Sequence, residues 1–175
     1  MKKILLTCSM LLTLAARAAD APPPKAGSPL APLTPLAGGL WIGSDLTPAK
    51  DGAPALHIEL RMAWTENRQG LRFDSTFVQG DKRRPYTSGL YAWDAARQKI
   101  IILYVDGEGS LTQGTVTPEG DTLVHELTVT EASAKTYPVL VRLQKSGPDV
   151  FINNILLQKD GKWAPFVSVR YERKQ

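Results

Sequence analysis

From Trp41 to the C-terminus, one pattern repeats about ten times along the chain. A short apolar or alternating run, rich in Val, Ile, Leu, Thr and aromatic residues, is closed by a turn of Gly, Pro, Asp or Asn. Such runs predict consecutive antiparallel strands joined by hairpins. A meander of this length exposes two edges unless it closes on itself. The sequence therefore predicts an all-β fold, an antiparallel meander of about ten strands closed into a barrel.

The strand boundaries follow from the turn residues. We predict strands over residues 41–45, 56–64, 71–79, 86–93, 99–105, 111–117, 122–130, 137–144, 150–158 and 162–173. In the second of these, Leu60, Met62 and Trp64 share one face, which is the core face. Pro138 and Pro165 fall inside predicted strands, and because proline cannot donate to a strand ladder we expect a bulge at each.

The first residues are typical of a secretory signal peptide. Lys2 and Lys3 precede an apolar stretch, and Ala16-Arg17-Ala18 is a small-x-small cleavage site. We predict a signal over residues 1–18, cleavage after Ala18 and export across the inner membrane to the periplasm. No apolar stretch reaches the roughly 20 residues that a spanning helix needs, so we expect no membrane span.

A proline-rich segment follows the signal. Six of the thirteen prolines lie within residues 20–36, which favours an extended tether over residues 19–36. Leu30, Leu33 and Leu36 recur every third residue, so the end of the tether is suited to lie against the barrel as a turn or lid. The remaining residues, 37–175, are predicted to form a single barrel domain.

Removal of the signal changes the charge and thiol content. The full chain carries a formal net charge of +4, and three of its 21 basic residues but none of its acidic ones lie within residues 1–18, which leaves +1. This balance gives no support for nucleic acid as a partner. The single cysteine, Cys8, lies in the signal, so the mature chain has no disulfide, cysteine nucleophile or thiolate metal ligand.

Gly39-Leu40-Trp41, at the start of the first strand, and Arg170, on the last, carry a family resemblance. Together with the strand pattern they resemble the calycin superfamily of lipocalins, fatty-acid-binding proteins and nitrobindin-like barrels. The layout is most similar to bacterial ten-stranded lipocalin-like domains without an assigned function. The resemblance implies that Trp41 and Arg170 close the base of the barrel and do not contact ligand.

The chain also departs from these families. Nitrobindin-like barrels hold haem through a histidine near the C-terminal end, and no histidine follows His125 here. Fatty-acid-binding proteins grip a carboxylate with Arg-x-Tyr, whereas Arg170 and Tyr171 are adjacent and point to opposite faces. We therefore expect neither haem nor a fatty-acid clamp, and no other cofactor is predicted.

Candidate ligand-binding residues are the side chains that alternation turns inward, or that lie on neighbouring strands with an ambiguous facing. They are His125, Trp64, Phe73, Ser75, Phe77 and Asn153. His125 shares its face with Leu123 and Leu127 and is expected inside the barrel. Three interpretations remain open for it: a hydrogen-bonded core histidine, a ligand contact, or a metal ligand.

Recognisable catalytic motifs are absent from the sequence, including the nucleophile elbow, H-E-x-x-H and glycine-rich phosphate loops. No metal site is predicted. The sequence thus favours an exported barrel that binds a small apolar or amphipathic ligand in its interior. The alternatives are a filled barrel that acts as a structural or interaction protein of the cell envelope, and an enzyme that uses His125. The oligomeric state is left open.

Overall fold

The fold is built from ten strands and one short helix. A computed structural model describes residues 22–25, 27–45 and 56–174, to which the structural statements below refer. A 3₁₀ helix covers Ala31–Leu36. The strands are β1 (Leu40–Asp45), β2 (His57–Trp64), β3 (Gly70–Gln79), β4 (Lys82–Asp94), β5 (Lys99–Asp106), β6 (Leu111–Glu119), β7 (Thr122–Thr130), β8 (Thr136–Gly147), β9 (Val150–Lys159) and β10 (Lys162–Lys174).

The strands form one closed antiparallel barrel in which each strand pairs with its neighbours in the chain. β1 closes the barrel because it pairs with β2 on one side and with β10 on the other. Closure leaves no open edge within this sheet, which removes the hazard of a long exposed edge strand. The predicted all-β barrel is therefore confirmed.

Alternation along each strand builds the core. On β2, Leu60, Met62 and Trp64 are buried, whereas Arg61 between them is exposed. Each large apolar side chain that is fully buried contributes roughly 1.5–3 kcal/mol relative to an exposed one. The inward faces of all ten strands therefore supply one continuous apolar interior.

The two ends of the barrel differ. We call the end that holds Trp41 the base, and the opposite end, where the β3–β4, β5–β6, β7–β8 and β9–β10 hairpins turn, the mouth. The 3₁₀ helix plugs the base with Leu33 and Leu36, both buried. Pro32 and Pro35 lack a backbone N–H, which favours a short helix held by bonds such as Leu33 N–H to Leu30 carbonyl, 3.0 Å. The plug is the reason why one end is shut.

The predicted boundaries can be compared with the described residues. The signal peptide predicted over residues 1–18 lies outside them. Leu30, Leu33 and Leu36, at the end of the predicted tether, are buried against the base and not extended in solvent. These three leucines lie against the barrel, as expected for the end of the tether.

The two strand prolines behave differently. Pairing of β9 with β10 shifts register between Pro165 and Val167, so the bulge expected there is present. The bulge expected at Pro138 is wrong, because Pro138 pairs in regular register with Thr128. Pairing of β8 with β9 begins only at Val139, so Pro138 has no partner on β9. The lack of a backbone N–H at Pro138 therefore breaks no hydrogen bond to β9.

Candidate functional site

The barrel encloses a cavity of about 560 Å³ that extends from the mouth to Phe151, which contacts Trp41 at the base. Residues of β2 to β10 contribute to its wall, which is mainly aliphatic and aromatic. This volume lies within the range of roughly 300–1,000 Å³ that is common for small-molecule sites. The barrel is therefore open inside and not filled by its own side chains.

Five of the six candidate residues from the sequence contribute to this wall. They are Phe73, Ser75, Phe77, His125 and Asn153. Trp64 is buried but does not line the cavity, because it lies at the end of β2 opposite Leu71, near the base. Alternation predicted the facing of Trp64 but could not give its height in the barrel.

Aromatic rings form a large part of the wall. The ring centroid of Phe73 lies 5.4 Å from that of Tyr91 and 5.8 Å from that of Tyr104. Phe151 stacks on Tyr171 with centroids 4.7 Å apart. These separations fit the tilted and offset arrangements that aromatic rings prefer. The cavity therefore presents several ring faces and edges to any occupant.

A polar pair crosses the interior. The hydroxyl of Tyr91 lies 3.1 Å from Nε2 of His125, and both residues are buried. Burial raises the pKa of Tyr91 above its ordinary value, and burial lowers the pKa of His125 to about 4. Both groups are therefore uncharged near neutral pH. Sequence alternation placed His125 inside but gave no sign of Tyr91 as its partner.

The position of the ring hydrogen of His125 can be assigned from its surroundings. The backbone carbonyls of Leu123 and Val141 act weakly on the ring and partly oppose the lowering of the His125 pKa by burial. They favour a hydrogen on Nδ1, so that Tyr91 donates to Nε2. Nδ1 itself makes no aligned hydrogen bond to the described residues. Nε2 is engaged by the hydroxyl of Tyr91.

Asn153 supplies a second polar group in the wall. Its Oδ1 is buried and has no hydrogen-bond partner among the described residues. A buried carbonyl oxygen without a partner costs about 1–3 kcal/mol. Its outward neighbour Asn154, in contrast, accepts a hydrogen bond of 2.7 Å from Ser168 Oγ. The amide of Asn153 is thus placed at the cavity with unused hydrogen-bonding capacity.

Other polar groups of the wall are already paired. The hydroxyls of Ser75 and Thr87 lie 2.5 Å apart, and Ser75 Oγ also accepts from the backbone N–H of Thr87. This pair adjoins a register shift after Ser75 in the β3–β4 pairing. Ser75 therefore has a structural partner, and its hydroxyl supports the bulge.

Charge is scarce at the cavity. Asp106 is the single Asp, Glu, Lys or Arg among the lining residues. Its carboxylate accepts from the backbone N–H groups of Glu108 and Ser110 and so holds the β5–β6 turn at the mouth. Within the described part of the chain, no group of three or more His, Cys, Asp or Glu residues could hold a metal ion.

At the base, the arginine over Trp41 is Arg173 and not Arg170. The guanidinium carbon of Arg173 lies 4.2 Å from the ring centroid of Trp41. The same guanidinium donates to the carbonyls of Pro35, Ala37 and Gly38, which join the plug to the barrel. Arg170 instead forms an ion pair with Glu172, with Nε and Oε1 2.8 Å apart. Trp41 is buried beneath this guanidinium.

A second, smaller cavity of about 210 Å³ lies at the base, between the 3₁₀ helix and the β6–β7 and β8–β9 turns. Its charged lining residues, Asp121 and Lys145, are exposed. The main cavity differs because buried polar atoms without partners adjoin it. The main cavity is therefore the candidate site.

Comparison with protein-family models and with curated proteins gives no match. Among solved structures, this chain is similar to the crystal structure of Rv2717c from M. tuberculosis, with a TM-score of 0.55 and 14% identity. The alignment covers 86% of this chain and 100% of that chain. What the two share is the barrel fold. No helix in the described residues is long and apolar enough to cross a membrane.

Proposed function

We propose that this protein is an exported, calycin-like barrel that binds a small apolar or amphipathic molecule in its interior. The observation that carries the proposal is the cavity of about 560 Å³ with a mainly apolar wall. A barrel that served only as a scaffold would gain stability by filling this space with side chains. The calycin kinship and the periplasmic location are parts of the same proposal.

Apolar side chains at the mouth support it. Phe166, in the β10 bulge, lines the cavity and is nevertheless 68% exposed. Leu56, the residue before β2, also lines the cavity and is 49% exposed. Exposed apolar groups at the entrance of an apolar chamber offer a continuous path for a hydrophobic molecule that leaves water.

A second candidate is an envelope interaction protein. Leu103, Val105 and Leu111 lie on the outer face of β5 and β6 and are 47%, 51% and 37% exposed. Such a stripe is suited to contact another protein. The open interior argues against the filled barrel that this alternative assumed, and the buried leucines of the plug offer no exposed patch at the base.

An enzyme that uses His125 has less support. A general base needs a nitrogen free to take a proton from a substrate. In His125, Nε2 is engaged with Tyr91, and Nδ1 is buried against the strand. We therefore place binding ahead of catalysis.

Protein purified from its own host tests the proposal. Native mass spectrometry of the folded protein should show a mass excess that disappears on denaturation, and solvent extraction should recover the corresponding small molecule. Recovery of no molecule, together with no saturable binding of a neutral hydrophobic dye, would refute interior binding. N-terminal sequencing of periplasmic protein should begin at Ala19, and recovery only of cytoplasmic protein that starts at Met1 would refute export.

A further inference from the structure

We propose that the cavity selects uncharged molecules whose polar group hydrogen-bonds the carboxamide of Asn153, and that it discriminates against anions of the same shape. This inference rests on the proposed interior binding and specifies the chemistry of the ligand. It is carried by the charges of the wall and by Oδ1 of Asn153, which has no hydrogen-bond partner among the described residues.

The interior offers no cation to an anionic ligand. Its lining contains no Lys or Arg, and His125 is neutral near physiological pH because it is buried. A carboxylate that leaves water without a paired cation loses far more solvation free energy than a neutral amide of the same size. The wall therefore penalises an anion and accepts a neutral polar group.

The nearest arginine lies at the rim and is already paired. Arg84 stacks over Phe77 and Tyr86, with 5.5 Å to each ring centroid, and its Nη1 lies 3.0 Å from Glu108 Oε1. Its side chain is 61% exposed, so an anion bound there would remain in water outside the chamber.

Two carboxylates lie beside Tyr86, on one side of the mouth. The charges of Glu108 and Asp106 add to burial in raising the pKa of Tyr86 above its ordinary value. Arg84 compensates only part of these two negative charges. An anion that enters on this side therefore passes a carboxylate, and the lining of the cavity offers it no Lys or Arg.

Asn153 supplies the attractive part of the selection. The carboxamide carries both donors and an acceptor, and its Oδ1 has no partner in the described residues. A ligand amide can pair with it whichever way the side chain is turned. Such a bond would satisfy a buried group that otherwise lacks a partner, while the ligand rings pack on the aromatic wall.

Three naphthalenes of nearly equal shape provide the test: 2-naphthamide, 2-naphthoate and 2-isopropylnaphthalene. Their dissociation constants at pH 7 should be measured by calorimetry or by competition with a neutral dye. We expect the amide to bind at least tenfold more tightly than the carboxylate. Tighter binding of the carboxylate than of the amide would overturn the inference. If that carboxylate binding is then lost in Arg84→Gln, the anion binds at the rim and not inside the cavity.

Asn153→Leu tests whether the carboxamide of Asn153 contributes to the preference for the amide. This substitution should weaken the amide by about fivefold to tenfold without weakening the isopropyl compound. Asn154→Leu, one residue along β9 on the outer face, is the matched control and should change neither. An unchanged preference in Asn153→Leu would overturn the role of Asn153. If the neutral dye binds but none of the three compounds does, the selection proposed here is overturned while interior binding stands. If neither the dye nor any of the three compounds binds, interior binding itself is refuted.

Discussion

The hydroxyl of Tyr91 lies 3.1 Å from Nε2 of His125, although the two residues belong to β4 and β7, which are not neighbours in the barrel. The bond crosses the interior and joins strands that share no ladder. Both side chains line the cavity. The same pair therefore stabilises the barrel and sets the polarity of the chamber.

A double-mutant cycle measures this bond. Tyr91→Phe and His125→Leu should each cost about 1–3 kcal/mol, since each leaves the other buried group without a partner. The double variant should cost less than the sum of the two, with a coupling of about 1 kcal/mol. Urea unfolding of the four proteins provides the free energies, and additive costs would mean that the two groups do not interact.

The free energy of unfolding should decrease as the pH is lowered, because of His125. Its pKa is lowered from 6.5 to about 4 in the folded protein, so below pH 6.5 the unfolded chain binds a proton that the native state does not. Between pH 6.5 and 4 the free energy of unfolding should drop by about 3 kcal/mol from this group, and the loss should level off at lower pH.

The difference between wild type and His125→Gln isolates this contribution, because carboxylates titrate in both proteins. The stability advantage of wild type over the variant should shrink across that interval. His57→Gln, at the partly exposed start of β2, controls for the removal of a histidine at the surface. A difference between wild type and His125→Gln that does not vary with pH would contradict a buried neutral His125.

Arg173 should matter more for stability than Arg170. Arg173→Met removes a guanidinium that stacks on Trp41 and donates to three carbonyls of the plug, so we expect a loss of about 2–4 kcal/mol in urea unfolding. Arg170→Met removes only an exposed ion pair and should cost at most about 1 kcal/mol. Equal costs would contradict the assignment of Arg173 as the closing residue.

The sequence predicted Arg170 over Trp41, whereas the structure places Arg173 there. The reason is the phase of strand β10. Ala164 pairs with the cavity-lining Leu157 and therefore faces inward. Regular alternation from Ala164 would also turn Arg170 inward. The extra residue Phe166 shifts the phase, so that Val169, Tyr171 and Arg173 face inward instead. The bulge at Pro165 was predictable from proline chemistry, but its length was not.

The candidate site shows a similar limit. A period of two correctly predicted that His125 faces inward and favoured Phe73 and Phe77 as wall residues, because alternation is a local property. Tyr91 as the partner of His125 depends on the diameter and stagger of the closed barrel, which local patterns do not contain. For the same reason, nothing in the sequence distinguished Trp64 near the base from residues of the cavity.

Gly43 on β1 should not accept a side chain. A Cβ at Gly43 would overlap the ring of Tyr171, which is buried against it. Gly43→Ala should therefore cost about 1–3 kcal/mol through displacement of that ring. Gly147 is the control, since a Cβ there meets Val150 at an ordinary 3.8 Å. Thermal unfolding of both variants checks the contrast, and a Gly43→Ala protein as stable as wild type would contradict the packing.

Binding of a neutral hydrophobic dye such as Nile red, before and after the cavity is filled, tests the central claim most directly. Ile155 lines the cavity and the next residue, Leu156, does not, so Ile155→Trp and Leu156→Trp place the same ring inside and outside the barrel. Wild type and Leu156→Trp should bind the dye saturably with similar dissociation constants, and Ile155→Trp should bind it at least tenfold more weakly. Equal binding by all three folded proteins, or no saturable binding by wild type, would contradict an interior ligand site.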